Sequence, residues 1–224
     1  MKNTLKWSAV ALGVLLTGGL AMAQGQSGSQ GSGSGTANPP APTTPQPKQD
    51  PSVAQRKENQ QDRIANGVKS GQLTAGETAN LENKEAAING ETKADRAANG
   101  GKLTGAEKQQ INQQQNQVSK QIYQDKHNAN TAHYGNNEVG QRRANQQQRI
   151  AQGVKSGQLT AGETAKLENQ QRGINQEVKA DRAANGGKLT AGEKQQVNRQ
   201  QNQASKNIYN KKHNANTQPK AKGK

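Results

Sequence analysis

The eight residues SGQLTAGE at positions 70–77 set the architecture of this chain, because they end one helix and begin the next. Gly71 can take the left-handed backbone conformation that terminates a helix. The Thr74 hydroxyl can accept a hydrogen bond from the amide of Glu77, while the Glu77 carboxylate accepts one from the amide of Thr74. This reciprocal pair is a capping box, so the sequence predicts a tight turn between two helices.

The same pattern occurs four times, at residues 70–77, 100–107, 156–163 and 186–193. Each occurrence has a Gly, a Leu-Thr pair and a Glu at the same spacing, which indicates four helix starts of one kind. The predicted helix-capping residues are Thr74, Glu77, Thr104, Glu107, Thr160, Glu163, Thr190 and Glu193.

The four helix starts belong to a longer repeat. Residues 55–131 align without a gap on residues 141–217, at an offset of 86, and 19 of the 77 aligned pairs differ. Self-similarity at a fixed offset indicates one structural unit used more than once. We therefore predict an all-α fold of tandem duplicated three-helix units, repeat 1 at 52–132 and repeat 2 at 138–217. Repeat 1 is expected to form helices over 52–68, 74–99 and 104–130.

The residues before the repeats predict export. Lys2 and Lys6 precede an apolar run, and Ala21 and Ala23 have the small side chains that a signal peptidase reads, so we predict a signal peptide at 1–23. The protein is then expected to be periplasmic or secreted after cleavage near Ala23. Residues 24–51 are rich first in Gly and Ser and then in Pro, which is typical of a disordered linker. A basic tail occupies 218–224.

The predicted helices carry a thin apolar stripe. Its members in repeat 1 are Ile64, Val68, Leu73, Leu81, Ile88, Leu103, Ile111, Val118 and Ile122. Seven-residue spacings, as from Leu81 to Ile88, are typical of a coiled-coil-like seam. Burying these side chains at about 1.5–3 kcal/mol each does not offset an ordering cost of about 1–2 kcal/mol for every residue. Backbone hydrogen bonds and caps must contribute, and a homodimer is one further source of stability.

Basic charge is concentrated in repeat 2. Residues 55–131 hold 11 Lys and Arg against 9 Asp and Glu, whereas residues 141–217 hold 14 against 5. A one-sided basic surface attracts polyanions, so anionic envelope polymers or lipids are expected partners. The candidate polyanion contacts are Arg142, Arg143, Arg149, Lys155, Arg172, Lys206, Lys211, Lys212, Lys220, Lys222 and Lys224.

Residues 66–77 resemble an EF-hand loop, with Gly71 at its sixth position and Glu77 at its twelfth, and the match covers only the second half of the loop. This resemblance implies a calcium- or metal-responsive binding module, which is the alternative hypothesis. Calcium needs an oxygen ligand at the third position, where this chain has Val68. The capping box accounts for the same residues, so we expect no metal ligands and no cofactor.

The Leu-Thr-x-x-Glu pattern at 73–77 also resembles the LTxxQ motif of periplasmic stress chaperones, with Glu in place of Gln. That resemblance implies a small, exported, all-helical protein that shields unfolded client proteins. Residues 55–217 as a whole are similar to uncharacterised exported helical-repeat proteins of Gram-negative bacteria. This second resemblance implies no settled activity.

The sequence carries none of the common catalytic patterns. It has no Cys and three His, and HExxH, GxSxG and P-loop motifs are absent. Few aromatic residues are available to stack on bases, so we expect no specific nucleic acid partner. We predict a non-enzymatic exported helical repeat protein that binds or shields anionic envelope components or unfolded clients, in a stress-related role.

Overall fold

The computed structural model describes residues 52–218, and over this range the chain forms six α-helices without a β-strand. They are α1 Val53–Ser70, α2 Ala75–Ala98, α3 Gly105–Lys126, α4 Glu138–Ser156, α5 Ala161–Ala184 and α6 Ala191–Lys212. This part of the chain is therefore all-α, as the repeated helix starts predict. None of these six helices is long and apolar enough to cross a membrane. The predicted signal peptide, the linker at 24–51 and the lysines of the tail lie outside the described residues.

Helices α2, α3, α5 and α6 begin at capping boxes. At the start of α2, the Glu77 amide donates to Thr74 Oγ1 at 3.3 Å, and the Thr74 amide donates to Glu77 Oε2 at 2.9 Å. The other helices start with the pairs Thr104 and Glu107, Thr160 and Glu163, and Thr190 and Glu193. Helices α1 and α4 end at Gly71 and Gly157, whose φ angles of 75° and 74° lie in the left-handed region. Each occurrence of the pattern therefore begins a helix. The occurrences at 70–77 and 156–163 also end the preceding helix at a glycine.

Helix α3, the third helix of repeat 1, is shorter than predicted. It was expected to span 104–130, and it ends at Lys126. The residues beyond it turn back toward the start of α2. The Asn130 amide donates to Asn128 Oδ1 at 2.8 Å, and the side-chain amides of both residues donate to Glu77 Oε1, at 2.8 and 3.2 Å. These local bonds compete with helical ones, which is why Asn favours turns. The Ala132 amide then donates to Gly71 O at 2.8 Å.

Helices of the two repeats pack against one another within one compact unit. Within each repeat, the third helix packs on the first and second; across the repeats, α1 contacts α4 and α2 contacts α5. The apolar core follows this arrangement. Ala151 of repeat 2 joins the cluster around Ile64 and Leu81, and Ala65 of repeat 1 joins the cluster around Ile150. Each repeat therefore completes part of the other's core.

Buried glutamines supplement the thin apolar stripe. Gln60 Nε2 on α1 donates to the carbonyl of Gln115 on α3 at 2.5 Å, and Gln115 Nε2 donates back to the carbonyl of Val53 at 2.9 Å. In repeat 2, Gln146 and Gln201 make the same pair of bonds between α4 and α6. A buried amide must find hydrogen-bond partners, so these side chains fix the register of the third helix on the first.

Candidate functional site

The predicted polyanion contacts spread over repeat 2, and several are bound to protein acceptors. Arg142 donates to Asn198 Oδ1 at 3.2 Å and to Asn202, Arg149 donates to the carbonyl of Ser205 at 3.2 Å, and Lys211 lies 3.8 Å from Glu163 Oε1. Lys155, Arg172 and Lys206 are exposed, and Lys212 is half-buried. Lys220, Lys222 and Lys224 lie outside the described residues. Arg143 lines a larger cavity that it shares with two further cations of repeat 2.

This basic cavity, of about 580 Å³, lies between the linker at 131–134, the start of α2 and the helices α4 and α5. Arg143 enters it from α4, and Lys179 and Arg182 enter it from the C-terminal part of α5. Within residues 52–218, no carboxylate lines this space. The cavity is therefore a concave surface lined by three cationic side chains.

The Arg143 guanidinium is positioned by an aromatic ring rather than by a carboxylate. Its central carbon lies 5.4 Å from the centroid of the Tyr134 ring, within the range of a cation–π contact. Its Nε is buried without a hydrogen-bond partner. Burial lowers the pKa of Arg143; Tyr134 opposes this effect, and the nearby positive charge of Arg182 adds to it. Two like charges thus face one space without an acid between them.

The linker lies close to the first turn of α4 at this site. A Cβ atom at Gly140 would lie 1.7 Å from the carbonyl oxygen of Tyr134, so only glycine allows this approach. Asn137 caps the same helix by accepting a hydrogen bond from the Gly140 amide at 3.0 Å. These contacts hold Tyr134 above Arg143. Burial also raises the pKa of the Tyr134 hydroxyl, to about 12, so the ring is neutral at physiological pH.

The equivalent cation of repeat 1 has an acidic residue beside it that repeat 2 lacks. Lys57 is the repeat equivalent of Arg143, and Glu85 is the equivalent of Gln171. Burial lowers the pKa of Lys57, while the charges of Glu85 and Glu82 raise it. The cation of repeat 1 therefore faces carboxyl groups. In repeat 2, one of these two acids is replaced by a neutral amide.

Sequence comparison of the two copies found Arg143 but missed Lys179, Arg182 and Tyr134. Lys179 and Arg182 are identical to their equivalents Lys93 and Arg96, so they add nothing to the charge difference between copies. Tyr134 lies outside the aligned range. The available signal was the replacement of the acid Glu85 by the neutral Gln171 at the equivalent position.

A second group of titratable side chains, Glu82, Glu85 and Glu168, is fully buried on α2 and α5. Burial raises the pKa of Glu82 and of Glu168 to about 8, against the opposing hydrogen bonds from Gln61 and Gln147. Burial raises the pKa of Glu85 to about 7, opposed by the charge of Lys57. Glu82 and Glu168 are therefore largely protonated at neutral pH. In the sequence analysis, all three enter only the count of acidic residues.

The EF-hand-like residues perform a structural task. Glu77 Oε2 accepts from Thr74, and Oε1 accepts from Asn128 and Asn130, so both carboxylate oxygens have protein partners. In residues 52–218, no group of three or more His, Asp or Glu side chains is arranged to hold a metal ion. His127 instead stacks on the exposed ring of Tyr123, with centroids 4.2 Å apart.

Comparisons of the chain with models of known protein families, with characterised proteins and with solved structures found no match. The family resemblances noted in the sequence therefore stay expectations.

Proposed function

We propose that this protein binds anionic polymers or lipid surfaces through repeat 2, without catalysing a reaction. The observation that carries the proposal is the basic cavity, where Arg143, Lys179 and Arg182 meet without a carboxylate. Grouping like charges costs free energy in the absence of a counter-ion, and a bound anion offsets this cost. The predicted export makes envelope polymers and anionic lipids the relevant partners.

Shielding of unfolded clients receives less support from the same surface. The large hydrophobic side chains exposed in residues 52–218 are Tyr123 and Tyr209, which lie on different repeats. A client-binding cradle works through contiguous apolar area, whereas the basic cavity of this protein is lined by three cations. Anion binding is therefore the better-supported function.

Charge-matched variants of the whole protein test this proposal. One variant carries Lys179→Gln, Lys188→Gln and Lys206→Gln in repeat 2; its control carries the equivalent changes at Lys93, Lys102 and Lys120 in repeat 1. All six side chains are exposed, and both variants lose the same net charge. Because screened attraction to a polyanion falls as salt rises, each protein elutes from immobilised heparin at a salt concentration that reports its binding strength.

We expect the repeat 2 variant to elute at clearly lower salt than the parent, with the repeat 1 variant close to the parent. Equal elution of the two variants would show that binding follows total charge only, and it would count against a binding surface on repeat 2. Failure of the parent protein to bind heparin or anionic vesicles at low salt would reject the proposed function.

A further inference from the structure

We propose that the basic cavity is a specific site for a phosphomonoester group, carried by a lipid head group or by a soluble molecule. This inference rests on the proposed function and gives it a defined ligand chemistry. A surface of dispersed lysines attracts any polyanion in proportion to its charge. A cavity with fixed cations can distinguish one anionic group from another.

The charge of the site matches a phosphomonoester better than a phosphodiester or a carboxylate. A phosphomonoester carries a charge of about −1.5 to −2 at neutral pH, because its second pKa is about 6. A phosphodiester or a carboxylate carries a single charge. Arg143, Lys179 and Arg182 bring three positive charges to one space, so a dianion neutralises more of their mutual repulsion.

The donors also fit a phosphate. A guanidinium presents its N–H groups in a planar fork that can bond two oxygens of one phosphate. In residues 52–218, the side chains of Arg143 and Arg182 make no hydrogen bond to a protein acceptor, so their forks are free for a ligand. The Tyr134 ring limits the orientation of Arg143 and thereby reduces the entropy lost on binding.

The cavity has room for more than the phosphate itself. Its volume of about 580 Å³ falls within the range of small-molecule sites, roughly 300–1,000 Å³. Thr131 and Asn175 line it beside the cations and can hydrogen-bond to hydroxyl groups. A phosphorylated polyol or sugar, free or as a lipid head group, is therefore the chemical class that suits the lining.

Repeat 1 supplies a matched control for Arg182 of α5. Arg96 is the repeat equivalent of Arg182 and is exposed. The full-length variants Arg182→Gln and Arg96→Gln lose the same charge at equivalent helix positions, but only the first changes the cavity. Arg143→Gln removes the second fork, and circular dichroism of every variant checks that the helices are retained.

Binding is measured with glycerol 3-phosphate as the soluble probe, by the chemical shift of the Arg143 Nε–H signal and by titration calorimetry. We expect Arg143→Gln and Arg182→Gln each to weaken binding about tenfold or more, with Arg96→Gln within about twofold of the parent. Vesicles containing phosphatidic acid, a phosphomonoester lipid, are compared with vesicles containing phosphatidylglycerol, a phosphodiester, at equal surface charge. Preferential binding of the first vesicles shows that the site also accepts a lipid source.

Equal weakening by Arg182→Gln and Arg96→Gln would overturn the specific site. So would the absence of glycerol 3-phosphate binding in a parent protein that still binds heparin, because in that case the proposed function survives and the phosphomonoester site does not. Loss of both interactions in the parent would reject the proposed function itself.

Discussion

Glu85 and Gln171 occupy equivalent positions in the two repeats, but their hydrogen bonding differs. Gln171 Nε2 donates to Gln146 Oε1 at 3.0 Å. In repeat 1, Gln60 Oε1 and both carboxylate oxygens of Glu85 are buried without a hydrogen-bond partner. An ionised carboxylate cannot donate, whereas a protonated one can, as the amide of Gln171 does. Ionisation of Glu85 therefore lowers the stability of the folded protein.

Replacement of Glu85 by Gln should stabilise the protein at pH 8.5. The amide removes a buried charge and can donate to Gln60, so we expect the free energy of unfolding to rise by about 1–3 kcal/mol. Urea denaturation followed by circular dichroism measures this change. The reverse substitution, Gln171→Glu, should lower the free energy of unfolding at the same pH. A loss of stability in Glu85→Gln would instead mean that attraction between Glu85 and Lys57 dominates at this position.

The helix starts are alike in sequence but differ in their partners. Glu193 at the start of α6 accepts from the Thr190 amide at 2.7 Å and from Asn185 at 2.8 Å, and it is half-buried. Glu163 at the start of α5 is buried, and its Oε1 also accepts from Asn214 and Asn216, at 2.6 and 3.4 Å. The capping box of α5 thus also binds the segment that follows α6, through Asn214 and Asn216.

Glu163→Gln should therefore cost more stability than Glu193→Gln. A capping box accepts Gln as well as Glu, so the site at Glu193, which does not bond to Asn214 or Asn216, should tolerate the change. At Glu163, the new side-chain amide would face the donor groups of Asn214 and Asn216, and bonds to a charged acceptor would be lost. We expect a difference of about 1–2 kcal/mol between the two variants in thermal or urea unfolding. Equal costs would show that the asparagines contribute nothing beyond the cap.

The packing of α2 against α5 makes the stability of the whole molecule depend on pH. Glu82 faces Gln61, Glu85, Glu168 and Lys57, and the folded protein raises its pKa to about 8. The pKa of Glu168 is also raised to about 8, and that of Glu85 to about 7. The folded state therefore binds protons more tightly than the unfolded state at these positions. Their stabilising contribution is fully present below pH of about 4.5 and is lost as pH rises through 7–8.

We predict that the melting temperature falls as pH is raised from 5 to 9. Because each unit of pKa difference is worth about 1.4 kcal/mol, the loss should be on the order of a few kcal/mol. The double variant Glu82→Gln, Glu168→Gln removes two of the titrating groups and should flatten the pH dependence. Glu138→Gln, at an exposed position, is the control and should keep the parental slope. A melting temperature that rises from pH 5 to pH 9 would contradict the buried-acid interpretation.

The local pattern of the sequence was enough to predict six helices and their starts. A capping box acts over four residues and a glycine turn over fewer still, so neither needs information from distant parts of the chain. The end of α3 was predicted four residues too late, because Asn128 and Asn130 bond to Glu77, which lies more than 50 residues away in sequence. The large charge of repeat 2 was also visible, since composition needs no coordinates.

The basic cavity and the buried glutamates depend on contacts between the repeats. Arg143, Tyr134 and Arg182 come from three different segments, and Glu82 resembles a surface acid until α5 packs against α2. Burial and like-charge repulsion act through space, so their effects follow from distances between side chains that spacing along the chain does not specify. The start of a helix depends on a few neighbouring residues, so the sequence determines it. The environment of a charged side chain depends on how the helices pack, so only the tertiary structure determines it.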